Sequence, residues 1–267
     1  MMRADKTIAV LTLILCVLII WAGITGLTVP GFYDYETDNW RLQTLAQDKI
    51  DLYFIVPVLL NTALMISRGS QDARLLWAGA MIYVIYTYTI FCFSIHFNSM
   101  FLVYCAILGL SIFTLIYFIY SYRKTFRYKL SGRNTGAATG IYFMLTAVFF
   151  AMLWISEIVL ATLTDELPAS LAESGLVTNP VQVIDLTVCL PGLFITGLLL
   201  IRREKAGLVM APVLLTFMFL MDITVGVLSL QTMPFEDIPG IALLMFSLAA
   251  VTLLLLFLNL RSKTHLA

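Results

Sequence analysis

The sequence predicts an all-α fold, a polytopic membrane bundle of eight transmembrane helices laid out as a tandem duplication of four-helix halves. Three observations lead there. Of the 267 residues, 61% are hydrophobic and 12% are charged, with a mean hydropathy of +0.96, whereas a soluble domain carries about 25% charged residues. Eight runs of roughly 20 apolar residues follow one another, each long enough to cross about 30 Å of hydrocarbon as a helix. An acid, a proline and an arginine recur at one fixed spacing in the two halves of the chain.

The first run, 7–27, follows Arg3 and Lys6 in the manner of a signal peptide. It is too long for a typical one and no A-x-A-like cleavage site follows, so a retained span is expected. The second, 50–67, lies between Lys49 and Arg68, and the third and fourth, 74–93 and 100–122, flank the tight turn "SIHFNS". Runs 138–163, 181–201, 207–230 and 238–260 complete the set. Asn179-Pro180 supplies a helix cap and a first-turn proline for the sixth. Unbroken apolarity excludes the alternating pattern of barrel strands, and the short connections leave a single integral membrane domain.

Lysine and arginine accumulate in short cytoplasmic loops and so orient the bundle. With the N-terminus inside, 14 of the 16 basic residues fall on the cytoplasmic side, and only Arg41 and Lys49 lie outside among acids such as Asp34, Asp38, Asp48, Asp165 and Glu173. Both termini are then cytoplasmic. The aromatics Tyr33, Tyr35 and Trp40 outside, with Tyr120, Tyr122 and Tyr128 inside, suit interfacial belts, and the basic segment "YRKTFRYK" suits anionic lipid. A net charge of zero gives no field for nucleic acid. The expected partners are the lipid bilayer and a cationic or small-molecule ligand.

"KIDLYFIVPVLLNTALMISR" and "VIDLTVCLPGLFITGLLLIRR" align without a gap. Asp51 falls on Asp185, Pro57 on Pro191 and Arg68 on Arg202, and the three separations are equal (185 − 51, 191 − 57, 202 − 68). This spacing divides the chain into repeats 1–133 and 134–267. Four spans is an even number, so both repeats enter from the same side, and a pseudo-twofold axis along the membrane normal follows.

Four carboxylates, Asp51, Glu157, Asp185 and Asp222, fall within spans or at their ends. Such a group costs at least about 2.5 kcal/mol to insert and normally faces protein, water or a ligand. All four belong to the outer half of the predicted bundle, where His96 also lies, and these five are the candidates for ligand binding or proton relay. They are expected to meet in one acidic pocket between the repeats. Capping of a helix start would explain Asp51 without function; it explains Asp185 poorly, because Asn179 already starts that helix. Pro57 and Pro191 each free a carbonyl four residues earlier, Tyr53 and Thr187, and are expected to kink their helices. Asp185, Cys189, Gly192 and Thr196 share one helical face, as do Tyr83, Tyr86, Thr87, Ile90 and Ser94.

Missing motifs narrow the chemistry. The four cysteines form no C-x-x-C pair, and His96 and His265 lie on opposite sides, which removes a bis-histidine haem. There is no zinc signature of the H-E-x-x-H type, no P-loop and no lysine inside a span for a retinal Schiff base. The contexts "VIDL" and "LMDITVG" lack the Y-D and G-x-G-D patterns of intramembrane aspartyl proteases. No cofactor is indicated.

The segments "QDKIDL", "HFNSMFLVYCAILGLS", "WISEIVLATL", "PASLAESGLVTNPVQVIDL" and "LIRREKAGLVMAPVLL" resemble an uncharacterised family of bacterial multipass membrane proteins, with "TNPVQVIDL" the most distinctive. The resemblance implies the bacterial cytoplasmic membrane and assigns no activity to any residue. Transport or sensing of a small molecule, ion or proton is the leading expectation. The alternatives are a membrane-embedded enzyme acting on a lipid or hydrophobic substrate, with the acids as acid and base or as metal ligands beside His96, and an accessory subunit without chemistry.

Overall fold

A computed structural model describes residues 2–123, 128–130, 133–232, 238–261 and 263–265. Its helices are α1 (Met2–Thr28), α2 (Asp38–Ile50), α3 (Val56–Ser67), α4 (Gln71–Ser94), α5 (Phe101–Tyr122), α6 (Arg133–Thr164), α7 (Ala169–Ser174), α8 (Pro180–Ile184), α9 (Leu190–Ile201), α10 (Lys205–Thr232) and α11 (Ile238–Arg261). α2 runs into α3, and α8 into α9, through π-helical turns at Asp51–Ile55 and Asp185–Cys189. Among the described residues eight helices are then long and apolar enough to cross a membrane. The chain is an all-α, multi-pass integral membrane protein. Short strands β1 (Tyr128–Leu130) and β2 (Lys263–His265) pair antiparallel after α5 and α11.

The second span begins at Asp38, the first residue of α2, well ahead of the apolar run that opens at Ile50. Thr37 starts it, its hydroxyl accepting the Trp40 amide at 3.3 Å. Asp51 is therefore more than three turns into a helix, and capping does not account for it. Asn179 does cap α8, its side chain accepting from the Val181 and Gln182 amides with Pro180 at the first position.

Both prolines sit just past a π-turn, in which the Val56 amide reaches the Asp51 carbonyl and the Leu190 amide the Asp185 carbonyl. A proline ring collides with the carbonyl four residues back, and one extra residue in the turn opens the helix at that point. At each proline the helix shows a local widening that begins at the acid. The following turns agree as well. Ser70 and Glu204 return their amides to the Met65 and Leu199 carbonyls at 3.0 and 2.8 Å, closing two helices in the same way. Gly69 and Arg203 hold the left-handed conformation there, with φ of 87° and 60°.

α4 and α10 form the centre, the most buried of the spans, and cross at Gly79. A Cβ on Gly79 would collide with the Val213 carbonyl oxygen, so only glycine permits this approach. Around them α1 packs on α3 and α5, and α6 packs along α9. At the end bearing most of the basic residues, Arg74 is wholly buried. The third apolar run opens at Arg74 itself; Ser70 caps α4 four residues earlier and draws Arg74 inside the helix. Its Nε and Nη2 donate to Asp5 at 3.1 and 3.0 Å, its guanidinium lies 4.9 Å from the Tyr122 ring centre, and Tyr122 also hydrogen-bonds Asp5.

Candidate functional site

The last turn of α2 places Gln47, Asp48 and Asp51 on one buried face, three and four residues apart. Asp48 Oδ2 accepts from the Tyr33 hydroxyl at 2.9 Å. Gly26 of α1 leaves the space for this pair, since a Cβ there would collide with Asp48 Oδ2. Tyr33 lies in the loop before α2. Burial, and then the charge of Asp48, push its phenol well above the ordinary tyrosine range, which keeps it a donor.

Asp51 Oδ1 accepts from Gln47 Nε2 at 2.9 Å, and the same amide nitrogen donates to the Tyr83 hydroxyl at 2.9 Å. The Tyr83 hydroxyl also bonds Thr224 Oγ1 on α10, 2.8 Å away, with either hydroxyl able to donate. A chain of hydrogen bonds thus links Asp51, through Gln47 and α4, to α10. One turn along α4, Tyr86 donates to Asp185 Oδ1 at 3.2 Å, and the Trp154 indole donates to Asp185 Oδ2 at 2.9 Å. Asp51 and Asp185, the first residues of the two π-turns, therefore address adjacent tyrosines of one helix face. Every group contacting them in these bonds is neutral.

The other expected members lie apart from this line. Asp222 is buried and takes its hydrogen bond from Thr252 at 3.0 Å, with Tyr142 bonded to Thr252 at 2.7 Å; it faces α6 and α11. Glu157 accepts from the Ser170 amide at 3.1 Å and from Gln182 at 2.8 Å, tying α6 to α7 and α8. His96 is held by Glu36, whose carboxylate takes the His96 amide at 2.7 Å and meets Nδ1 at 3.0 Å. Among the described residues Glu157, Asp185 and Asp222 share no hydrogen-bond partner. Helical rise gives depth and leaves rotation open: Glu157 and Asp185 lie on neighbouring turns of one contact, through Gln182 and Trp154, whereas Asp222 turns to Thr252 of α11.

Among the described residues no group of three or more histidines, cysteines or acids could hold a metal, which leaves the expected role of His96 beside a metal without a donor set. His265 carries no described side chain. Sequence reasoning missed Gln47, Asp48, Tyr88 and Tyr104. The signal lay in the amphipathic stretch "DNWRLQTLAQDKI" after Thr37, which carries the helix back past Asp48 and makes the two acids neighbours on one turn.

No family model matches the chain, nor does any curated protein or solved structure resemble it significantly.

Proposed function

We propose that this is a proton- or cation-coupled membrane protein of the bacterial cytoplasmic membrane, a small-molecule or ion transporter or sensor, with both termini cytoplasmic and Asp185 as its exchanging group. The observation that carries the reading is the pairing of Asp51 and Asp185 on the Tyr83–Tyr86 face of α4 with neutral donors alone. A carboxylate held in a membrane without a cationic side chain is stabilised by taking up a proton or a cation. Asp185 is only partly buried and borders the surface, whereas Asp51 is enclosed. The positive-inside distribution supports this orientation, in which both acids lie toward the periplasmic side.

Tandem duplication belongs to the same proposal. It is supported by π-turns, helix-ending turns and helix starts that recur at the offset relating the two aligned stretches (185 − 51, 203 − 69, 205 − 71). The central crossing supports it too, for Gly79 meets Val213, and this pair has the same separation (213 − 79). Contact between equivalent positions is what a twofold axis through the crossing requires.

The test is a pH jump applied to reconstituted protein on a solid-supported membrane, which reads charge displacement without a known substrate. Wild-type protein should give a transient that Asp185→Asn largely removes and Glu157→Gln retains. An unaltered transient in Asp185→Asn refutes the assignment.

A second reading, an enzyme acting on a lipid, draws on an apolar groove of about 350 Å³ between α6 and α9. Its lining includes Ile155 and Leu186, the chain neighbours of Trp154 and Asp185. Incubation with bacterial lipid extract followed by mass spectrometry separates the readings, since a product that disappears in Asp185→Asn favours the enzyme.

A further inference from the structure

The polar cluster around Asp51 contains oxygens that the hydrogen-bond chain leaves unused. Asp51 is 2% exposed, and its Oδ2 has no hydrogen-bond partner among the described residues. Tyr104 of α5 is 1% exposed, and its hydroxyl is likewise unpartnered although it stands beside Tyr33 and Asp48. The Tyr88 phenol, buried on α4, stands beside Asp51 within its hydrogen-bonding reach. Asp48 lies one turn before Asp51 and close enough to feel its charge.

A hydroxyl and a carboxylate in a dry interior pair directly unless something holds them apart, because an unmade bond there leaves both groups desolvated without compensation. Oxygens gathered at close range and left unpaired have the arrangement of ligands shared around a small ion. The set is all oxygen, which selects a hard cation over zinc or copper. Tyr33 already occupies Asp48 by a hydrogen bond, so Asp51 Oδ2 is the one carboxylate oxygen of the pair found without a partner and the one negative ligand offered directly. That count suits a monovalent ion. Tyr104, on a different helix and unpartnered, points to a ligand independently of the two acids.

We propose that Asp48, Asp51, Tyr88 and Tyr104 together bind one bare alkali cation of sodium's size, within the first half of the bundle. The site goes beyond the exchange assigned to Asp185 and uses none of its contacts.

The experiment is thermal unfolding of the purified full-length protein in detergent, titrated with sodium chloride against choline chloride at constant ionic strength and pH. Sodium should raise the midpoint in a saturable way while choline does not, because a ligand bound only by the folded state stabilises it. Asp51→Asn should abolish the sodium response, and Tyr104→Phe should weaken the apparent affinity about tenfold, the loss of one oxygen ligand worth about 1.4 kcal/mol. Asp185→Asn should leave the response intact, which separates failure here from failure of the exchange reading. An equal response to choline, a sodium response that survives Asp51→Asn, or a midpoint that follows pH and ignores sodium would each overturn the proposal. Should Asp51→Asn fail to fold, an unchanged sodium affinity in Tyr104→Phe overturns it equally.

Discussion

In the first half of the molecule α1 packs against both α3 and α5, and its four spans close into a ring; in the second half α6 lies along α9 and meets α11 sparsely. The bonds between α6 and α11 run from Thr139 to Asn259 and from Tyr142 to Thr252, toward the basic end. Only 11% of the most apolar window of α6 is buried, against 39% for α1. The same acid at the same register consequently meets two environments. Asp51 is sealed, with one oxygen unused, while Asp185 reaches the edge of the packing with both oxygens bonded. Position in a helix sets which group is present, and closure of the surrounding ring sets how far that group is sealed from its surroundings.

The most severe way to break that contrast is to open the ring. Arg74→Ala leaves the Asp5 carboxylate buried and unpaired, and a loss of about 3 to 5 kcal/mol is expected, read as a large drop in unfolding midpoint. The second half has Leu208 at the matching position and no such ion pair among the described residues. A double variant, Asp5→Leu with Arg74→Leu, should recover much of the loss, because apolar replacement removes both desolvation costs. If the single change is silent, the ion pair is not what closes the first half.

Gly79→Leu tests the joint between the halves. Its side chain must displace the Val213 backbone, at an expected cost of about 1 to 3 kcal/mol. A midpoint shift well below this would mean that α4 and α10 can separate freely. Glu157→Gln should be milder, about 1 kcal/mol, because the amide keeps one acceptor for the Ser170 amide and loses the charge facing Gln182. His96→Ala should be smallest, at most about 1 kcal/mol, since the imidazole is exposed and its pairing with Glu36 is screened. Salt should diminish that last effect. A loss for His96→Ala comparable with that for Arg74→Ala would erase the distinction between surface ties and the sealed interior.

Much of the fold was legible because lipid imposes a simple rule: an apolar run of the right length must be a helix. Eight spans followed from that rule. The start of α2 was not legible by it, since Asp38 to Ile50 is an amphipathic helix whose mixed composition resembles a loop until its cap and its buried face are considered together. Arg74 was legible only as the edge of a span, for a related reason. Hydropathy counts an arginine as a boundary, whereas Asp5 and Tyr122, distant in the chain, turn it into an interior residue. The acids themselves were visible as anomalies, but their partners were not. Trp154 for Asp185, Thr252 for Asp222 and Gln182 for Glu157 depend on helix rotation, which a near-uniform apolar sequence does not encode.

The two π-turns carry a consequence for ancestry. A π-turn is a helix with one residue inserted, and removing that residue would rotate everything before it by about 100°. Deleting Leu52 would therefore swing Gln47 and Asp48 off the face they now occupy. If one four-helix ancestor gave rise to both halves, the insertion preceded the copying event. Each descendant then inherited a carboxylate, a widened turn and a proline as one unit, and divergence afterwards altered the company those groups keep.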